Sequence, residues 1–560
     1  GKSEVPVEAF TSVIPNRFHA YPGQMKNQTD WALAFGVTNF IFHTFQHQPL
    51  GNDALPGMAM GPHGSNWHRH QNWWNMLPAY HDYISRSSYL LQQGVTVSDI
   101  LYLTPEGVPH IFWPPIDALS GKGLLKDKRG YGFDATSPRI LINQATVQDG
   151  HIVFKNASRY KIMILPDSDT MTPETLEQII YFVENGATIV GNPPFKSPSL
   201  SNYPNSDRRV IELATRLWGN LELPSSLTKR SFGKGTIYWG QDIYDKDDDS
   251  EEFYPSYSNT ASLLKDIGVS EDFTVDDASV RFTHRKTADR DIYFVSNTSN
   301  IPISVDADFR VSGLLPELWH PETGERSSLP NFNDNGKNTK IPLKFERNES
   351  YFVIFGNDQG DAPSYGVNFP ILETIKIIDG SWSVNFDPSR GGPEEINFDT
   401  LIDWKDHPTK GVKYYSGIAN YTKIFDLPEQ TDLTANYMID FGELYEMANV
   451  TLNGIDLGII WTSPWRVSTG GALKHKGNIL TVEVANSWEN RLIGDSFDQD
   501  KDIRTLQWPS GLLEGKAYKT GRYTFTTYLN EASDFGDIKQ KPYELQSSGL
   551  IGPVKILKIN

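Results

Sequence analysis

The spacing of apolar and polar positions divides the chain into mixed β/α segments in its first half and β segments in its second. Val5-Pro6-Val7-Glu8-Ala9-Phe10 reads as a short strand, with Pro6 tolerated near its start. Asp30 to Phe35 reads as a short helix closed by Gly36. Val37 to Phe42 reads as a second strand, with His43 directly after it. Strand, helix, glycine, strand is the pattern of a parallel crossover. Residues 46–75 form a long loop rich in Gly, Pro, His and Trp, a length that is uncommon unless the loop is functional or disordered. A helix is predicted from Pro78 to Gln93, and Val95 to Leu103 alternates as one further strand.

Tyr160 to Leu165 has the continuous apolar character of a buried strand. Thr172 is a helix cap, Pro173 suits the first turn, and Leu176, Ile179, Ile180 and Val183 make one apolar face. Gly186 ends that helix and Ala187 to Gly191 is the next strand. This βαβ pattern predicts an open, flavodoxin-like parallel sheet, ending near Ile237-Tyr238-Trp239-Gly240. Neither GxGxxG nor a Walker A loop follows these strands, so a nucleotide role is not expected. From about 275 to 356, short strands such as Asp291–Asn297, Ile301–Val305 and Tyr351–Phe355 predict a small antiparallel β-sandwich. Residues 375–560 are again all-β, with turn pairs such as Asn453-Gly454. The fold class is therefore multidomain, α/β followed by all-β.

Composition narrows the chemistry. The 560 residues carry 51 Lys and Arg against 69 Asp and Glu, a net charge of −18. Such a surface repels phosphate backbones, and nucleic acid is not an expected partner. No run approaches the roughly 18 apolar residues of a membrane span. The chain has no cysteine, which excludes disulfides, thiolate metal sites and cysteine nucleophiles and is compatible with an oxidising compartment. The first residues lack a basic-then-apolar signal pattern, so either a signal has been removed or the chain begins partway through a longer one. Five of the 14 Trp and eight of the 13 His precede residue 115. Indoles suit sugar rings as well as protein cores.

Four segments carry candidate chemistry. Glu8 lies late in an apolar strand, where a carboxylate serves as general base or nucleophile in a barrel enzyme, or else as an ion-paired surface group. His43-Thr44-Phe45-Gln46-His47-Gln48 follows the next strand and projects toward the same end. His43, Gln46 and His47 suit sugar hydroxyls; zinc would need a third ligand that the spacing does not single out. The loop from Gly61 to Trp74 interleaves polar donors with indoles, and Trp67, His68 and Trp74 suit a pyranose, whose faces are apolar and edges polar. A packed loop is the alternative. Asn478–Asp495, with Asn486-Ser487-Trp488-Glu489-Asn490-Arg491, suits either a sugar or a hydrogen-bonded sandwich edge. A Ser/His/Asp triad has no GxSxG element to support it.

The stretch from Val7-Glu8-Ala9-Phe10-Thr11-Ser12 through His43–Pro49 resembles glycoside hydrolase family 106, the α-L-rhamnosidases. So do Trp73-Trp74, Tyr83-Ile84-Ser85-Arg86 and Leu90-Leu91-Gln92-Gln93-Gly94. Tyr415-Ser416-Gly417-Ile418-Ala419-Asn420-Tyr421, Val450-Thr451-Leu452-Asn453-Gly454 and Asn486 to Leu492 are similar to the jelly-roll sugar-binding domain of that family and of family 2. The resemblance implies a (β/α)8 catalytic barrel, inversion at the anomeric carbon, calcium dependence, and a glutamate acid and base, with Glu8 at the base position. A barrel needs about 250 residues, and only its last two strands are read here. The acid is therefore expected on a missing N-terminal half of the enzyme, and calcium ligands are not assignable. The implied division is 1–95 barrel end, 96–270 flavodoxin-like domain, 271–360 sandwich and 375–560 jelly roll. The expected enzyme is periplasmic or secreted, bacterial, and releases terminal α-L-rhamnose from a plant-type polysaccharide or glycoconjugate. The alternatives are a retaining galactosidase with Glu8 as nucleophile and a non-catalytic carbohydrate-binding fragment.

Overall fold

The computed structural model describes residues 3–11, 18–48, 51, 55–57, 65–107, 111–121, 125–244, 253–277, 279–356, 366–496, 516–517, 523–524 and 544–560. Residues 61–64 of the aromatic loop lie outside them.

Strand β1 (Pro6–Ala9) pairs in parallel with β2 (Asn39–Phe42), Glu8 standing opposite Ile41. The connecting helix α1 (Pro22–Ala34) begins a full two turns before the predicted start at Asp30. Its buried face holds Met25, Leu33 and Ala34 but also Lys26, Thr29 and Asp30, so apolar periodicity is missing where the helix begins. The polar members are satisfied by partners distant in sequence. Lys26 Nζ lies 2.8 Å from Asp30 Oδ2, 3.3 Å from Glu322 Oε1 and 2.7 Å from Ser350 Oγ. Helix α2 (Leu77–Gln92) buries Leu77, Tyr80, Tyr83, Ile84, Ser87 and Leu91 at three- and four-residue spacing. Val7 and Ala9 pack on the core beneath these helices, whereas Glu8 and Ile41 face the other side, and Ile41 is 57% exposed.

The predicted strand Val95–Leu103 is two strands in two domains. β3 (Val95–Thr96) pairs with Arg285 and Lys286 at the sandwich edge. β4 (Ile100–Leu103) enters a parallel sheet. The chain leaves one sheet for the other at Val97-Ser98-Asp99, where Asp99 is buried and its carboxylate meets Arg310 at 3.0 Å. An alternating pattern does not reveal a change of sheet.

In that second sheet β5 (Phe133–Thr136), β4, β6 (Ile162–Ile164), β7 (Thr188–Val190) and β9 (Gly235–Trp239) run parallel in the order named. β8 (Thr228–Phe232) adds an antiparallel edge. Counted along the chain, the parallel strands stand 2-1-3-4-5, a doubly wound order. β5 escaped the sequence reading because Phe133-Asp134-Ala135-Thr136 is a short edge strand with a polar member. Helix α3 (Pro173–Glu184) begins as predicted, with Thr175 N–H donating to Thr172 Oγ1 at 3.3 Å.

Residues 273–356 form two facing antiparallel sheets around Phe282, Tyr293, Phe309, Ile341 and Phe355. Residues 372–485 and 549–559 form two more around Trp382, Trp404, Tyr421, Val450 and Val482. The core under β1 and β2 is shared by Ile292 and Phe352 from the first pair and Trp461 and Ala485 from the second.

Candidate active site

The carboxyl ends of β1 and β2 are tied together by backbone. His43 N–H donates to Ala9 O at 3.1 Å, Thr44 N–H to Ser65 O at 2.8 Å, and Ser65 N–H to His43 O at 3.0 Å. Ser65 Oγ donates to Phe10 O at 2.9 Å. The loop thus returns at residue 65 onto the end that bears Glu8. Glu8 is exposed there, and Thr11 Oγ1 donates to its Oε1 at 3.1 Å.

Around this end, polar atoms are left without protein partners among the described residues. They are His43 Nδ1, both amide atoms of Gln46, Asn66 Oδ1, Trp67 Nε1 and both amide atoms of Gln71. Buried polar groups are nearly always hydrogen-bonded, and a concentration of orphans marks a place where water or a ligand completes them. Asn66 and Gln71 were not singled out individually by the sequence, and only their membership of the polar-aromatic loop pointed to them.

The predicted sugar contacts separate into two groups. His43 and Gln46 are half-buried and His47 is exposed. Trp74 is half-buried, and its ring centroid lies 6.4 Å from that of Phe45, which is 70% exposed. Phe45 and Trp74 are therefore the apolar pair open to a ring. Trp67 and His68 are not. Trp67 is buried against Phe42 at 4.5 Å, Trp73 at 5.6 Å and Tyr80 at 6.3 Å, so no indole face remains for a sugar and only its N–H is unspent. His68 is fully buried and its Nδ1 accepts from His70 N–H at 3.3 Å. Burial, with His70 and Arg69 beside it, pushes the His68 imidazole down to about 4. Both residues build the floor, because a loop this rich in aromatics supplies its own core.

The C-terminal segment 486–491 holds this loop. Trp488 Nε1 donates to His70 O at 2.8 Å and Asn72 Nδ2 to Asn486 O at 2.8 Å. Asn486 is itself saturated by Gly417, Tyr415 and Ser548, and Asn490 by Gln546. The hydrogen-bonded-edge reading accounts for every polar atom of these two residues. At the same seam Glu446, which no sequence signal had marked, is buried with Ser487, Glu489 and Trp73 around it. Burial pushes its carboxyl up to about 8, Ser487 opposing and Glu489 adding to the shift. Glu489 Oε2 lies 3.3 Å from His19 Nδ1. No group of three carboxylates or imidazoles that could hold a metal ion occurs among the described residues.

The strand end thus combines an exposed carboxylate, unpartnered polar groups and an open aromatic pair, with two β-sandwich modules behind it. The chain belongs to glycoside hydrolase family 106, the α-L-rhamnosidase family, whose model matches residues 1–333. It is similar over 99% of its length to a rhamnosidase structure from Novosphingobium sp. PP1Y, with 28% identity and a TM-score of 0.77. It is also 24% identical, over 784 aligned positions and 99% of its length, to a Formosa agariphila protein named provisionally as a beta-glucuronidase. The chain spans 48% of the length of the first and 63% of the second. No helix among the described residues is long and apolar enough to cross a membrane.

Proposed function

We propose that the protein releases terminal α-L-rhamnose from a rhamnose-containing oligosaccharide or polysaccharide with inversion, and that Glu8 is the general base. The observation that carries this is the uncovered end of β1 and β2, where Glu8 shares an open face with Ile41 while neighbouring polar atoms lack partners. Parallel strands are normally covered on both faces, so β1 and β2 are read as the last strands of a (β/α)8 barrel. Residues 375–560 are read as a jelly-roll sugar-binding domain. The other barrel strands, and the acid, belong to a part of the enzyme beyond these strands. A periplasmic or secreted location goes with this reading.

In this mechanism Glu8 removes a proton from a water as that water attacks the anomeric carbon. The acid protonates the leaving oxygen on the opposite face, the two carboxyls standing roughly 6.5–9.5 Å apart to admit the water. Thr11 holds Oε1 of Glu8, leaving Oε2 for the water. His43, Gln46 and Gln71 donate to or accept from ring hydroxyls, and Phe45 with Trp74 covers the apolar face. The second reading is a retaining galactosidase-type hydrolase with Glu8 as nucleophile; the provisional name of the Formosa agariphila protein adds only a β-glucuronide as a further substrate to try. Proton NMR of the first-released sugar separates the two. Inverted anomer is expected, and retained anomer would overturn the base assignment.

A further inference from the structure

A second cleft lies where the chain crosses from the sandwich into the parallel sheet. Its volume is about 480 Å³, and its walls come from residues 95–99 and 268–270 with Ala157, Arg159, Lys161, His151, Lys286 and Arg310. Four of its side chains are cations, Arg159, Lys161, Lys286 and Arg310, against the single carboxylate of Asp99. Three of the four have carboxylate partners beside the cleft, and Lys161 has none among the described residues.

Two of these cations are already committed. Lys286 Nζ lies 2.8 Å from both oxygens of Asp291, and Arg310 is held by Asp99 at 3.0 Å and Asp272 at 3.4 Å. The other two are not. Among the described residues Arg159 is ion-paired only with Asp149, at 3.7 Å and with that carboxylate largely exposed. Lys161 makes no ion pair among the described residues; burial lowers its ammonium, Asp99 opposes that, and Arg310 and Arg159 both add to it. Arg159 and Lys161 also bear on His151, whose imidazole is held below its ordinary value chiefly by burial. Two positive groups, Arg310 and Arg159, thus bear on Lys161, with the carboxylate of Asp99 to offset them. Like charges brought together at this cost are a site for an anion, because a bound oxyanion relieves the repulsion that the fold leaves in place.

We infer that this cleft binds an oxyanion, a carboxylate or a sulfate or phosphate ester, carried on a body of monosaccharide size, with Arg159 and Lys161 as its principal contacts. The charge argument stands alone; the sugar body rests on the reading of the protein as a glycoside hydrolase. The cleft is far larger than a bare tetrahedral ion, and the planar fork of Arg159 suits two oxygens of one group.

Isothermal calorimetry on the intact enzyme tests this with D-glucuronate, glucose 6-sulfate, inorganic sulfate and uncharged L-rhamnose as probes. Lys161→Met and Arg159→Ser are compared singly and together, with thermal melts to confirm folding. Saturable binding of at least one charged sugar is expected, weakened about tenfold by each single variant and lost in the pair. Binding should also weaken as salt rises from 0.05 to 0.5 M. Which charged sugar binds identifies the oxyanion. No saturable binding of either charged sugar, or binding unchanged in the folded double variant, overturns the site. Binding of inorganic sulfate without either charged sugar overturns the saccharide part. Rhamnoside hydrolysis is followed separately in the same variants and should persist, so loss of the anion site and loss of the hydrolase reading are distinguishable.

Discussion

At the carboxyl ends of β4 and β6, Glu106 accepts from Thr172 N–H at 2.6 Å, Thr172 Oγ1 at 2.7 Å and Thr175 Oγ1 at 2.8 Å. Tyr254 OH closes the same end on Leu103 O at 3.0 Å. This is the switch point of the doubly wound sheet, where such folds receive phosphates at a helix N-terminus. Here the protein's own carboxylate occupies the start of α3. At the carboxyl ends of β1 and β2 the polarity is reversed. Glu8 is exposed with one hydroxyl on it, and His43, Gln46, Asn66 and Gln71 keep unpartnered atoms. Both places have the parallel-strand geometry that serves for binding, and only the second leaves it unspent. Geometry alone does not make a site; the state of its hydrogen bonds does.

Exchanging the charge at each end is the sharpest way to break this contrast. Glu8→Gln in the intact enzyme should keep the fold and lower kcat by about 10²–10⁴, since an amide takes no proton from water. Near-normal turnover would assign the base elsewhere. Alanine at His43, Gln46 or Trp74 should lower kcat/KM for a rhamnoside by about tenfold or more, and at His43 or Gln46 should leave the melting temperature nearly unchanged. The orphaned polar atoms have no protein bond to lose. Unchanged kinetics in a folded variant removes that residue from the site. Glu106→Gln should do the opposite, costing about 1–3 kcal/mol in denaturant unfolding while turnover per folded molecule stays constant. A fall in turnover with unchanged stability would make the two ends alike.

Smaller effects follow from the floor of the loop. The His68 imidazole sits near 4, below the ordinary value of about 6.5, so the unfolded chain binds its proton first. Its contribution is complete above pH 6.5 and is lost as pH falls toward 4, on the order of 3 kcal/mol. His68→Gln should flatten that acid limb in melts between pH 4 and 7. Glu446 titrates in the other sense. Its raised carboxyl costs stability progressively from about 4.5 up to about 8, and Glu446→Gln should remove that slope. The smallest expected signal is that of ATP or NAD titrated into the protein, where calorimetry should register no saturable heat at the sheet that carries Glu106.

The sequence disclosed those parts of the fold whose burial is apolar and local. α3 was legible because Thr172, Pro173 and the Leu176–Val183 face all agree. β1 and β2 were legible from short apolar runs, and their order implied the parallel pairing that is observed. The first turns of α1 were not, because Lys26 and Asp30 are buried by partners some 300 residues away. The break at Val97 was hidden because both halves of the run are strands. At the site, the types of residue were legible and their exposure was not. Trp67 and Trp74 share one loop and one chemistry, and only packing against Phe42 and Tyr80 makes the first a floor and leaves the second open. Glu446 lies in an ordinary strand entry, and its neighbours Ser487 and Glu489 are 41 and 43 residues on in the sequence.

The cluster around Lys26 bears on how such enzymes are assembled from parts. The ammonium has no exposure, and two of its partners, Glu322 and Ser350, belong to the sandwich. An exchange that replaced residues 273–356 with a foreign β-module would leave a buried positive charge short of partners, at a cost of roughly 3–5 kcal/mol. The sandwich and α1 are therefore inherited together. Chimeras within the family should fail at a junction placed between α2 and the sandwich.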